Sequence, residues 1–193
     1  MARHKEFDQG LALEKAMTLF WQKGYAATSI QDLVEHMGIG RRSLYDTFNS
    51  KHDLFLAALD RYRARVGELT PVSEKALTSP MAVIKTMFEQ RVQASLADEE
   101  RNGCFAVNSA IELSGQDEAV TTRSEETCQE MILMFQTLLQ QAQQAGELRS
   151  EQDVEALAQY LANAMFGIRV MSKMKPDKQT LMNVVNLTLS VLN

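Results

Sequence analysis

The sequence predicts an all-α fold, and three observations carry that prediction. Apolar residues recur at three- and four-residue intervals in one segment after another, and no stretch of useful length alternates as a strand does. The three prolines, Pro71, Pro80 and Pro176, all fall between the periodic segments, where helix breakers belong. The 193 residues are 45% hydrophobic and 23% charged, with no low-complexity tract or internal repeat. That balance argues against disorder and suits one compact unit, or a small N-terminal domain packed on a larger one.

In the first helix Leu13, Ala16, Met17 and Phe20 form one apolar stripe that ends at Gly24. Thr28 to Gln31 reads as a capping box, with the Thr28 hydroxyl accepting an orphan amide and Gln31 reaching back, at the head of a short second helix running to about Met37. Gly38 is expected in the left-handed conformation that closes a helix, with Ile39 turned inward as a plug. Arg41 to Phe48 follows as another short helix, pinned by Leu44 and Phe48 on one side. Two short helices about a glycine-containing turn make a helix-turn-helix. Ser50 to Asp53 caps a longer fourth helix with Leu54, Phe55, Ala58, Leu59 and Tyr62 on its apolar face. Arg61, Arg63 and Arg65 stand at its end, where the helix dipole favours cations.

Residues 67–79 read as a connection. Ser79 before Pro80 is an N-cap followed by proline at the first helical position, so a fifth helix should run to about Ala97. Asn102-Gly103 interrupts, a sixth helix covers Cys104 to about Leu113, and Ser114-Gly115 interrupts again. A long seventh helix should span about Glu118 to Ala145 and stop at Gly146. Ser150 to Asp153 caps an eighth, with Val154, Leu157, Leu161, Met165 and Ile168 along one side. The ninth should run from about Asp177 to Leu192, with Leu181, Val184, Val185, Thr188 and Leu192 at helical spacing.

The net charge of −5 is unevenly distributed. Residues 1–67 carry ten Lys/Arg against eight Asp/Glu, and residues 68–193 carry ten against seventeen. An N-terminal part that approaches phosphates and a C-terminal part that does not would show this asymmetry. Cys104 and Cys128 stand alone, with no CxxC pair and no histidine at zinc-site spacing, so neither a disulfide framework nor a metal site is expected. The chain shows no Gly-x-Ser-x-Gly elbow, no phosphate-binding glycine loop and no metalloprotease histidine pair, and His4, His36 and His52 are too few for an obvious proton-transfer site. No catalytic residues and no cofactor are expected. The charged start lacks the apolar core of a secretory signal, and the charge-free stretch from Ala156 to Ile168 is too short to span a bilayer, so the expected location is cytoplasmic.

Ile30, Leu33, Gly38, Ile39, Ser43, Leu44, Tyr45, Phe48, Ser50, Lys51 and Leu54 stand at the spacings of the TetR family of bacterial transcriptional regulators. Residues 7 to about 60 closely resemble that family's DNA-binding domain, and the rest resembles the family in length and architecture. The resemblance implies residues 1–50 as the helix-turn-helix domain, 51–66 as a connecting helix and 67–193 as a larger helical domain that dimerises and senses a ligand. It also implies a repressor released from a palindromic DNA operator by a small molecule. Arg41 and Arg42 lie at the start of the third helix, where arginine can reach base edges or phosphates. Ser43 and Tyr45 match positions that contact DNA in the family, Lys51 would sit against the DNA backbone, and Thr28 and Ser29 bring helix-terminal amides near a phosphate. Thr47 stands where the family usually has histidine, and Val34 and Met37 replace smaller residues. Arg3, His4 and Lys5 form a basic tail that is as readily a solvated tail as a contact.

In the eighth helix Ala158, Ala162, Ala164 and Gly167 would let another helix approach closely, and the resemblance implies a homodimer through the last two helices. A monomer core accounts for the same periodicity, but a two-fold dimer matches a palindrome with spaced half-sites. Met87, Phe88, Phe105, Met131, Met134, Phe135, Met165 and Met171 could wall an adaptable ligand pocket, with Asn108, Tyr160 and Arg169 as polar handles, though a methionine stripe also fits plain core. Cys104 follows Gly103 at a helix start, where the dipole can lower a thiol pKa. That makes an electrophile- or redox-sensing repressor a second reading and a small-residue packing joint its equal. The third reading, from another class, is a helical enzyme or interaction module carrying a helix-turn-helix lookalike.

Overall fold

The computed structural model describes residues 7–68, 79–174 and 177–192. Among the described residues there are nine α-helices, one 3-10 turn and no strand, in agreement with the all-α expectation. The helices are α1 (Gln9–Lys23), α2 (Ile30–Met37), α3 (Arg41–Phe48), α4 (Lys51–Glu68), α5 (Pro80–Ala97), α6 (Phe105–Leu113), α7 (Glu118–Gln144), α8 (Val154–Met171) and α9 (Lys178–Ser190), with the 3-10 turn at Ser172–Met174. Arg3, His4, Lys5, Pro71 and Pro176, and most of the connection expected over 67–79, lie outside the described residues.

Helix starts follow capping chemistry, in two places not as expected. The N-cap of α2 is Ser29, not Thr28: Ser29 Oγ accepts from the Asp32 amide at 3.0 Å, and Asp32 Oδ2 accepts from the Ser29 amide at 2.8 Å. Thr28 is buried and spends its hydroxyl closing the preceding turn, donating to the Gly24 carbonyl at 2.6 Å. Gln31 does not reach back; its amide donates along the helix to Glu35 at 2.7 Å. At α8 the cap is Asp153, whose Oδ1 accepts from the Glu155 and Ala156 amides at 3.0 and 3.1 Å. Ser150 is too far ahead of Val154 to serve. Ser50 caps α4 as expected, accepting from the Asp53 amide at 2.9 Å, and Ser79 caps α5 with Pro80 at the first helical position. Gly38 adopts φ 71° and ψ 34°, its amide returning to the Val34 carbonyl, and Ile39 is buried behind it.

The chain packs into two compact units. One contains α1 to α4 together with Phe105–Ser124, which is α6 and the first turns of α7. The other contains α5, Cys104, α7 from Glu125 onward, α8 and α9. An aromatic cluster centres the first unit. Phe55 meets Phe20 and Phe105 edge-on at 5.1 and 5.6 Å between centroids and Tyr25 at 4.8 Å, and Tyr62 meets Phe105 and Trp21 at 5.7 and 5.1 Å. Leu33 of α2 and Leu44 of α3 are fully buried. The second unit is centred on Phe88 and Phe135, stacked at 5.9 Å, among Ile84, Leu139, Leu161, Ile168 and Leu181. Each such buried side chain contributes about 1.5–3 kcal/mol through burial.

Candidate nucleic-acid interface

α3 is two-sided because Leu44 and Phe48, four residues apart, face inward. The same helical phase leaves Arg41, Arg42, Tyr45 and Asp46 exposed, with Ser43 and Thr47 at the margin. The Gly38 turn and the buried Ile39 set the angle at which this open face is presented. Arg42 lies 3.6 Å from Asp46 one turn on, and both side chains are so exposed that water screens the pair. The two arginines stand at the start of α3, whose N-cap, Gly40, supplies no side-chain hydrogen bond.

The head of α2 belongs to the same unit. Ser29 is exposed, with its hydroxyl committed to Asp32, and Asp32 is held by Lys23 at 2.8 Å. Those hydrogen bonds, led by Lys23 and then Ser29, keep the Asp32 carboxyl far below the usual carboxylate range. Thr28 is buried, so its contribution to any contact is the backbone it shapes rather than its hydroxyl. Lys51 opens α4 and lies with Nζ 4.2 Å above the Tyr25 ring. Burial lowers the Lys51 pKa, against the pull of the Glu112 and Asp32 charges. Burial, then the Asp117 charge, pushes the Tyr25 hydroxyl up.

Three polar contacts of this unit come from α6 and the start of α7. Glu112 accepts from the Tyr25 and Ala26 amides, His52 and Asp117 meet at 2.6 Å, and Arg123 donates to Asp60 at 2.9 and 3.2 Å. Sequence reasoning missed all three because the partners are some 63 to 87 positions apart. One signal was available: Glu112 is the one charged residue in the otherwise apolar or neutral α6.

The expected pocket residues divide. Met87, Phe88, Met131, Phe135 and Met165 gather in the core of the second unit. Phe105 and Asn108 lie on α6 in the other unit, where Phe105 is part of the aromatic cluster. Tyr160 is 40% exposed on the outside of α8. Arg169 is buried, with Nη1 donating to Cys104 Sγ at 3.1 Å, and Cys104 itself is only 1% exposed. Cys128 is exposed. Of the four small residues expected to admit another helix against α8, Ala158 and Ala162 are buried and Ala164 is partly buried against the unit's own core. Of these four, only Gly167 faces outward, with open space around it. Tyr160, Asn163, Gly167, Val170 and Met174 form an exposed stripe from α8 into the 3-10 turn, and Leu187 of α9 and Val191, just past its end, are exposed. Among the described residues no cluster of three His, Cys, Asp or Glu could hold a metal, and no helix is long and apolar enough to cross a membrane.

Residues 12–58 match the family model described as bacterial regulatory proteins, tetR family, and residues 80–187 match the tetracyclin repressor-like C-terminal domain. The uncharacterized HTH-type transcriptional regulator YezE of Bacillus subtilis (strain 168) is 37% identical over 197 residues, the full length of both chains. The HTH-type transcriptional repressor ComR of Escherichia coli (strain K12) is 36% identical over 193 residues, covering 97% of this chain and 90% of ComR. Among solved structures, a cysteine mutant of the TetR family transcriptional regulator CifR, complexed with 26bp double-strand operator DNA, superposes with a TM-score of 0.88 at 29% identity over the full length of both chains. The relatives bear the names of transcriptional regulators, not enzymes.

Proposed function

Because the chain belongs to the TetR family of bacterial regulatory proteins, we propose that it is a dimeric repressor whose hold on a palindromic operator is released by a small molecule in the C-terminal unit. It is a helix-turn-helix transcriptional regulator, and one observation carries the finer reading: α3 buries Leu44 and Phe48 and leaves Arg41, Arg42 and Tyr45 exposed together on its open face. The arginines read bases, Ser43, Tyr45, Thr47 and Lys51 hold phosphates, and the backbone at Thr28 and Ser29 supplies helix-terminal amides. Such a regulator works in the bacterial cytoplasm, where the chromosome is.

One helix-turn-helix touches only a few base pairs, so a two-fold dimer is needed to span two half-sites. The exposed stripe of α8, flat at Gly167, with Leu187 of α9 and Val191 just past its end, supports that interface. The cluster of Met87, Phe88, Met131, Phe135 and Met165 supports a ligand site with adaptable walls. The ligand shifts the equilibrium only by its differential affinity for the DNA-binding and released conformations.

The test is fluorescence anisotropy with a duplex selected by the wild-type protein from a random-sequence pool. Arg41→Ala and Arg42→Ala, where each reads a base, should weaken binding by about 1–3 kcal/mol and relax preference at one position per half-site. Variants that bind and discriminate as the wild type does would remove α3 from the recognition role.

The second reading, thiol control through Cys104, is favoured by the Arg169 guanidinium 3.1 Å from Sγ, which stabilises a thiolate, and opposed by the near-complete burial of the sulfur. Cys104→Ser separates the two. An oxidant or maleimide response of DNA binding that survives the substitution ends the thiol reading.

A further inference from the structure

Glu112 turns its carboxylate to the backbone on which the helix-turn-helix is mounted. Oε2 accepts from the Tyr25 amide at 3.0 Å and Oε1 from the Ala26 amide at 2.7 Å, so both oxygens grip the turn between α1 and α2. Bonds to a charged acceptor are stronger than neutral ones. Gly24 is shaped around this grip: its φ is 83°, and a Cβ there would stand 2.8 Å from Glu112 Oε2. From the same turn two parts of the interface are set. The Tyr25 ring, wedged against Phe55 at 4.8 Å, lies beneath the Lys51 ammonium at 4.2 Å. Thr28 Oγ1 closes back on the Gly24 carbonyl at 2.6 Å, immediately ahead of the Ser29 cap of α2.

We propose that Glu112 is a positioning residue for operator binding: by holding the Tyr25 and Ala26 amides it places Tyr25 under Lys51 and fixes the head of α2, so that both meet the DNA backbone together. The proposal rests on the reading of Lys51 and the α2 terminus as phosphate contacts. Charge alone predicts the opposite sign, since a carboxylate near Lys51 repels phosphate and its removal would tighten binding. Positioning predicts that removal weakens it.

The experiment measures anisotropy of the selected duplex with full-length protein at several salt concentrations. Glu112→Ala should weaken binding roughly tenfold or more and reduce the slope of log K against log salt by about one per chain, as a phosphate contact is lost. The loss should be non-additive with Lys51→Ala, the double variant binding about as well as the weaker single one. Glu112→Gln keeps one acceptor and should show a smaller loss of the same sign, which preserves the test if the alanine variant does not fold. Unchanged or tighter binding in both Glu112 variants, or losses that simply multiply in the double variant, overturns the proposal while Lys51→Ala alone still weakens binding. Lys51→Ala binding as the wild type does overturns the phosphate-contact reading and the proposal with it.

Discussion

Replacing Phe105 with alanine should cost about 3–5 kcal/mol of stability, the range for truncating a fully buried phenylalanine. The ring is 1% exposed and stands edge-on to Phe55 at 5.6 Å and to Tyr62 at 5.7 Å, with interplanar angles of 88° and 89°. Each of these pairs adds about 0.5–1.5 kcal/mol beyond area burial, and no smaller side chain can reach both α4 rings at once. Phe105→Leu keeps part of the volume but forfeits both ring pairs, so it should cost less than alanine, about 1–3 kcal/mol. At about 2–4 °C of melting temperature per kcal/mol for a chain of this size, the alanine variant should melt roughly 6–20 °C lower and the leucine variant roughly 2–12 °C lower. Circular dichroism melts give Tm, and urea titration gives the free-energy difference as a midpoint shift at constant slope. A ring lining an open ligand cavity would instead be nearly free to remove in the ligand-free protein. An alanine variant within about 1 kcal/mol of wild type would therefore refute the placement of Phe105 in the aromatic core.

Three further outcomes follow from named contacts. Gly38→Ala should destabilise by about 1–2 kcal/mol, because φ is 71° while the nearest atom to a new Cβ, Lys15 Nζ, is a harmless 3.8 Å away; Gly38→Asn should recover part of this in urea, and an unchanged alanine variant would contradict it. Burial opposes the Asp117 charge, but hydrogen bonds from the Val120 amide and His52 hold its carboxyl below the usual range. A carboxyl lowered in the folded state contributes stability above its unfolded pKa and loses it as pH falls through the lower folded value. Asp117→Asn should then be destabilising near neutrality and converge on the wild type in acid below about pH 4, and a gap of constant size across that range would contradict the pairing. Gly167→Arg and Leu187→Glu, on the outward faces of α8 and α9, should each give monomers by light scattering; dimers as strong as wild type would place the interface elsewhere.

The helices were legible because their apolar residues keep phase: Phe20, Leu33, Leu44, Phe48, Leu54 and Phe55 are all buried, as their spacing requires. The cap of α2 was misplaced by one residue because Thr28 and Ser29 are equally able to cap. What separates them is the distance from Thr28 to the Gly24 carbonyl, set by a turn that the local pattern does not specify. The open face of α3 could be read for the same reason as its core, since burying Leu44 and Phe48 leaves Arg41, Arg42 and Tyr45 outside. Contacts across many positions could not: nothing near Ala26 announces Glu112, and nothing near Phe105 says that its ring joins α4 rather than the methionine-rich core. In α8 composition suggested Ala158, Ala162, Ala164 and Gly167 for a helix contact, whereas helical phase sends Ala158 and Ala162 inward and, of those four, only Gly167 outward.

Binding of the selected duplex across a series of salt concentrations tests operator recognition most directly, because each phosphate neutralised releases counterions from the DNA. Two chains per duplex, each using Lys51, the arginines of α3 and the head of α2, should give a log–log slope of several, roughly 0.9 per phosphate contact. Flat salt dependence, or no binding to any duplex in the pool, would contradict it.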